Sequence, residues 1–147
     1  MFECILFSLK DDVSSAKKKT PSVNATSSCA NLLRSQTNTD GIIYSNQISS
    51  SSYTDNMDCQ WNLSSNAVLE LAFHRFNTQP SADYVRVYNG GSLSSPLIGT
   101  FSGSSLPAPI TSSSNKLYVG FTSDSSATYQ GFGARYRGMT YVKNILK

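Results

Sequence analysis

Between Gly41 and Tyr136 apolar and polar residues alternate in short runs, and turn formers interrupt them every eight to twelve positions. A period of two sends successive side chains to opposite faces of an extended chain. Each run therefore predicts a strand with one covered and one wetted face. Four runs are clear. Over 68–76, Leu69, Leu71 and Phe73 oppose Glu70, Ala72 and His74. Over 83–88, Val85 and Val87 oppose Tyr84, Arg86 and Tyr88. Over 117–122, Leu117, Val119 and Phe121 oppose Tyr118, Gly120 and Thr122. Over 132–137, Phe132, Ala134 and Tyr136 oppose Gly133, Arg135 and Arg137. Weaker runs predict strands near 41–45, 58–63, 96–101 and 109–112.

The separators are turn chemistry: Asn89-Gly90-Gly91, Ser102-Gly103-Ser104, and Leu106-Pro107-Ala108-Pro109. Ser49–Ser52 is a short low-complexity loop. No segment carries a helical stripe of ten or more residues, and none repeats. The spacing predicts an all-β fold, an antiparallel two-sheet sandwich. The 147 residues suit one such domain over 29–137, with an irregular tail at 1–28 and a tail or linker at 138–147.

Charge narrows the partners. The net +3 comes from the two ends: Lys17, Lys18 and Lys19 stand in the first tail, Lys143 and Lys147 in the second. Residues 29–142 hold six basic and six acidic side chains. A neutral domain has no basic stripe for phosphates, which argues against nucleic acid. The lysine run reads as a solvated tail. No stretch approaches the roughly 20 apolar residues of a membrane span. Met1–Leu9 lacks the charge pattern of a secretory leader, so an extracellular reading places a leader upstream of Met1 or takes the chain as part of a longer protein.

Catalysis finds little support. The single histidine, His74, lies on the polar side of a strand, and no nucleophile-elbow motif accompanies it. Phosphate-cradling glycine loops are absent. The three cysteines, Cys4, Cys29 and Cys59, lack the paired spacing of a zinc site. Asn24-Ala25-Thr26 and Asn62-Leu63-Ser64 are sequons, and alternation beside Trp61 turns Asn62 outward.

The order of these features resembles the CUB domain family over about 29–137. Gly41–Ser45 is similar to its Gly-x-Ile-x-Ser strand. Tyr53 with Cys59-Gln60-Trp61 follows its Tyr-Pro-x4-Cys-x-Trp segment, Thr54 standing for Pro. Leu71–Phe76 follows Leu-x-Phe-x-x-Phe, and Asp83–Gly90 follows Asp-Tyr-Val-x-Val-Tyr-Asp-Gly with Asn89 for Asp. Leu97–Gly103 follows Leu-x-Gly-x-Phe-Cys-Gly with Ser102 for Cys, while Ser112–Asp124 and Gly131–Tyr136 match the last strands.

The resemblance implies a jelly-roll-like sandwich, a Cys29–Cys59 disulfide fitting an oxidising compartment, and Trp61 in the core. It also implies a second disulfide that this chain lacks at both ends: no cysteine precedes Asp83, and Ser102 holds the partner position. Cys4 is left without a family role.

Many members hold calcium at one end of the sandwich. By resemblance the ligand positions fall on Asp83 and Asp124, on Gln79 where the family has Glu, and near Ile48 or Ser49 where it has a loop Tyr; Ser123 and Ser125 could add oxygens. Two carboxylates in place of three imply a weakened site. Asp83 and Asp124 could equally serve as a strand start and a turn cap.

The function implied is an extracellular, non-catalytic recognition module for a protein or glycan, with Tyr84, Arg86 and Tyr88 as candidate contacts. Those three could instead simply pair across strands. A lectin-like carbohydrate binder and a structural spacer of a larger protein are the alternatives.

Overall fold

The structure is a computed structural model, and it describes residues 31–32, 40–46 and 52–139. Cys4, Lys17–Lys19, Asn24, Cys29, Ile48, Ser49, Lys143 and Lys147 lie outside the described residues.

Among the described residues nine strands are formed: β1 (Asn31–Leu32), β2 (Asp40–Tyr44), β3 (Asp58–Ser64), β4 (Val68–Asn77), β5 (Tyr84–Tyr88), β6 (Leu97–Phe101), β7 (Ile110–Thr111), β8 (Lys116–Thr122) and β9 (Gly131–Met139). They build two sheets, one ordered β1-β2-β9-β4-β7 and the other β3-β8-β5-β6. All pairings are antiparallel. The all-β two-sheet architecture expected from the alternation is the one observed. The short β1 is an addition, since two residues are too few for a period to register.

The inward rows meet between the sheets. Leu69, Leu71, Phe73 and Phe76 of β4 with Phe132, Ala134 and Tyr136 of β9 face Trp61, Val85, Val87, Leu117, Val119 and Phe121 of the other sheet. Each large aliphatic side chain so buried contributes about 1.5–3 kcal/mol relative to exposure. Phe132 is the hub of the aromatic packing, with ring centroids 5.6 Å from Trp61, 5.8 Å from Phe73 and 5.6 Å from Phe121. Trp61 is buried, as expected, though its indole N–H has no hydrogen-bond partner.

In β4 the inward row breaks step. Phe73 and Phe76 both point inward although three positions separate them. A bulge between Phe73 and Arg75 absorbs the odd residue. His74 is that residue: it is exposed and stacks edge-on against Tyr44 at 5.6 Å. Burial and the neighbouring Arg75 charge lower its pKa from the ordinary histidine value.

Candidate functional site

The loops joining β4 to β5, β8 to β9 and β2 to β3 converge at one end of the sandwich around Asp83. Its carboxylate is fully buried, one residue before β5. A buried carboxylate is tolerated only when donors replace water. Both oxygens have them here: the Tyr53 hydroxyl donates to Oδ2, and the Asp124 backbone N–H donates to Oδ1 at 2.9 Å. Tyr53 also accepts from the Gln79 N–H at 3.0 Å. Burial, and then the bond to Asp83, push the Tyr53 phenol well above its usual range.

The turn from Gln79 to Asp83 is pinned from β6. The Ser102 hydroxyl donates to the Gln79 carbonyl at 3.0 Å and accepts from the Ser81 N–H at 2.7 Å. Thr78 and Gly103 exchange two further bonds, at 2.8 and 3.0 Å. These contacts join the two segments that the resemblance would link by a second disulfide. Asn56, Ser81 and Ala127 hold positive φ near 55° in the surrounding loops.

The expected ligand residues can now be placed. Asp83, Asp124 and Gln79 come together. Asp124 is exposed, and its Oδ1 accepts from the Ser126 N–H at 2.8 Å and the Ser126 hydroxyl at 3.0 Å. The serine that meets the cluster is Ser126, while Ser125 is exposed beside it. Ser123 turns to the β2–β3 loop, accepting from the Met57 N–H and donating to the Thr54 carbonyl, both at 2.8 Å. The tyrosine at Asp83 is Tyr53. Its place just ahead of the Cys-x-Trp segment was the available signal.

Calcium takes six to eight oxygens, and its affinity follows carboxylate charge. Among the described residues no three His, Cys, Asp or Glu side chains come together. Both Asp83 oxygens already serve N–H and O–H donors, and the third ligand position carries a neutral amide. This donor set does not fit a resident calcium ion.

A second candidate surface is the outer face of the β3-β8-β5-β6 sheet. Tyr84, Arg86 and Tyr88 stand outward and half-buried on β5. Arg86 lies over the Tyr84 ring at 5.0 Å and donates to the Thr122 hydroxyl at 3.1 Å. No carboxylate pairs with it among the described residues; the ion pairs there are Arg135–Asp40 and Arg137–Glu70, on the other sheet. Tyr88 meets Tyr118 edge-on at 6.1 Å, and Tyr118 donates to the exposed Gln60. Arg86 is opposite Gly120, where a Cβ would find nothing within 4 Å. The side chains thus contact each other, and the surface over Gly120 is open.

Cys59 is buried, 1% exposed, on β3. Asn62 is exposed on the same strand and donates to the Gly91 carbonyl at 3.0 Å. No described helix is long and apolar enough to cross a membrane.

Comparison with known proteins agrees with this geometry. Over 103 residues the chain is 38% identical to cubilin of Sus scrofa, covering 66% of this chain and 3% of cubilin. Over 94 residues it is 40% identical to procollagen C-endopeptidase enhancer 1 of Rattus norvegicus, covering 59% of this chain and 20% of that protein. The chain therefore spans a small fraction of the curated relatives it matches. Among solved structures, the MASP-1 CUB2 domain bound to Ca2+ superposes with a TM-score of 0.57 at 23% identity, over 67% of this chain and 92% of that one. The CUB1-EGF-CUB2 domains of rat MASP-1 give 0.61 at 24% identity, over 70% and 41%. At such identities the likeness shows the fold alone, and that fold accommodates calcium in at least one instance. The CUB domain model matches residues 29–136, and the chain belongs to the CUB domain family.

Proposed function

We propose that this chain is an extracellular, non-catalytic recognition module that meets a protein or glycan partner on the outer face of its four-stranded sheet. The observation that carries the reading is Arg86. It is a half-buried guanidinium on a central strand, flanked by Tyr84 and Tyr88, and among the described residues its side-chain partner is a hydroxyl, not a carboxylate. Tyrosine and arginine on rigid strands lose little freedom on binding and dominate interface energetics. A partner carboxylate reaching this face would complete the guanidinium's bonding.

The extracellular placement rests on kinship and on the suitability of Cys59, buried on β3, for a bridge to Cys29. Asn62 is exposed enough to carry a glycan. The match covers only 3% of cubilin and 20% of the enhancer, so the module's parent architecture follows from neither.

A lectin-like reading draws on one feature, the Tyr88–Tyr118 pair beside the Gln60 amide. Sugars stack on such aromatic–amide surfaces. The test is a binding screen of the secreted domain against panels of extracellular proteins and glycans, repeated with Arg86→Ala and Tyr88→Ala. Loss of a hit by about tenfold or more, with melting temperature unchanged, is expected, since a central contact contributes roughly 1.4 kcal/mol or more. A hit retained in full by both variants rejects the face.

A further inference from the structure

We infer that the Gln79 amide takes the place of a cation at the loop end of the sandwich, standing where one would otherwise be required. The Gln79 side chain ends 2.8 Å from the Ser126 carbonyl oxygen and 3.2 Å from Asp124 Oδ1. Both neighbours are acceptors. An amide nitrogen carries two hydrogens, so with that nitrogen turned inward each acceptor receives one.

A glutamate at this position would behave oppositely. It would bring two more acceptors and a second negative charge against Asp124, with no hydrogen to share. Like charges at this separation repel, and three oxygens facing one another need a positive ion between them. The Gln side chain supplies the positive ends of two N–H dipoles in place of that ion.

The rest of the cluster is arranged to match. Asp83 Oδ2 is taken by Tyr53 and Oδ1 by the Asp124 N–H. Asp124 Oδ1 already accepts from Ser126 twice. The backbone of Gln79 is held from both sides, its N–H donating to Tyr53 and its carbonyl accepting from Ser102. Calcium entry would require the amide to turn its oxygen inward and would gain only a neutral ligand. The end that other members stabilise with calcium is therefore closed here by protein donors, and this module's stability is indifferent to chelators.

The test compares melting temperatures in 5 mM calcium and in EDTA at matched ionic strength, with calcium titration by calorimetry. The wild-type domain is expected to melt within about 1 °C in the two conditions and to show no calcium site, because a ligand that does not bind the native state cannot shift its melting. Gln79→Glu is expected to melt lower in EDTA and to recover by about 5 °C or more in calcium. Gln79→Met, which removes the donors without adding charge, is expected to melt several degrees lower in both buffers. A wild-type domain that gains stability in calcium overturns the inference. So does a folded Gln79→Glu domain indifferent to calcium, or a Gln79→Met domain as stable as wild type. None of these outcomes involves the sheet face around Arg86, so the recognition reading stands or falls separately.

Discussion

Tyr53 joins two demands that a single residue seldom meets. Its ring packs edge-on against Phe121 at 5.2 Å, inside the core, while its hydroxyl satisfies the buried Asp83 and accepts from Gln79. Tyr53→Phe keeps the ring and removes both polar contacts, leaving a fully buried carboxylate oxygen and a backbone N–H each short of a partner. The expected cost is about 1–3 kcal/mol. It would be read as a lower urea midpoint with an unchanged slope, and an unchanged midpoint would show that water replaces the hydroxyl. Sequence placed Asp83 and Gln79 at the correct end of the fold. It missed Tyr53 at this site, because the partnership joins residues 30 positions apart through loops that have no period. Ser126 escaped for the same reason: adjacent serines in a turn are alike in composition, and only backbone direction selects one.

At the level of elements, glycines divide sharply by surroundings. Gly131 opens β9 with φ +78°, and an added Cβ would collide with the Ser45 hydroxyl and stand 3.2 Å from the Tyr53 ring. Gly120, mid-strand in β8, has open space where its Cβ would be. Gly131→Ala therefore faces a left-handed backbone penalty of about 1–2 kcal/mol plus a clash, whereas Gly120→Ala faces neither. The first should lower the melting temperature by several degrees and the second by less than about one, since 1 kcal/mol moves a domain of this size by roughly 4–8 °C. Equal shifts would contradict the packing described.

The eight strands expected from alternation all form, within one or two residues at most ends. Period-two burial depends only on local chain geometry, which explains that success. The bulge at His74 was not legible, because it records how β4 must bend to keep both Phe73 and Phe76 against Phe132.

For the whole molecule, the larger sheet starts from β1, whose first residue follows Cys29 by two positions. A Cys29–Cys59 bridge would tie that edge to the buried side of β3 in the opposite sheet. Closing a loop of about 30 residues removes roughly 3–4 kcal/mol of unfolded-state entropy, so reduction should lower the melting temperature by about 10 °C or more. Non-reducing peptide mapping of the secreted domain should recover the two cysteines in one linked fragment, and the same map reads glycan at Asn62. Two separate fragments, with melting indifferent to reductant, would remove the bridge from the account.

Alternation along the chain determined the class of fold, the inward rows and the outward Tyr84, Arg86 and Tyr88, because strand burial is a property of neighbours one and two residues apart. The tertiary structure alone decided which loops meet. Only there did Gln79 face two acceptors, Ser102 pin the turn ahead of Asp83, and Arg86 stand, among the described residues, without a carboxylate. Those are encounters between residues 20 to 50 positions apart, set by how two sheets stack and where their ends converge.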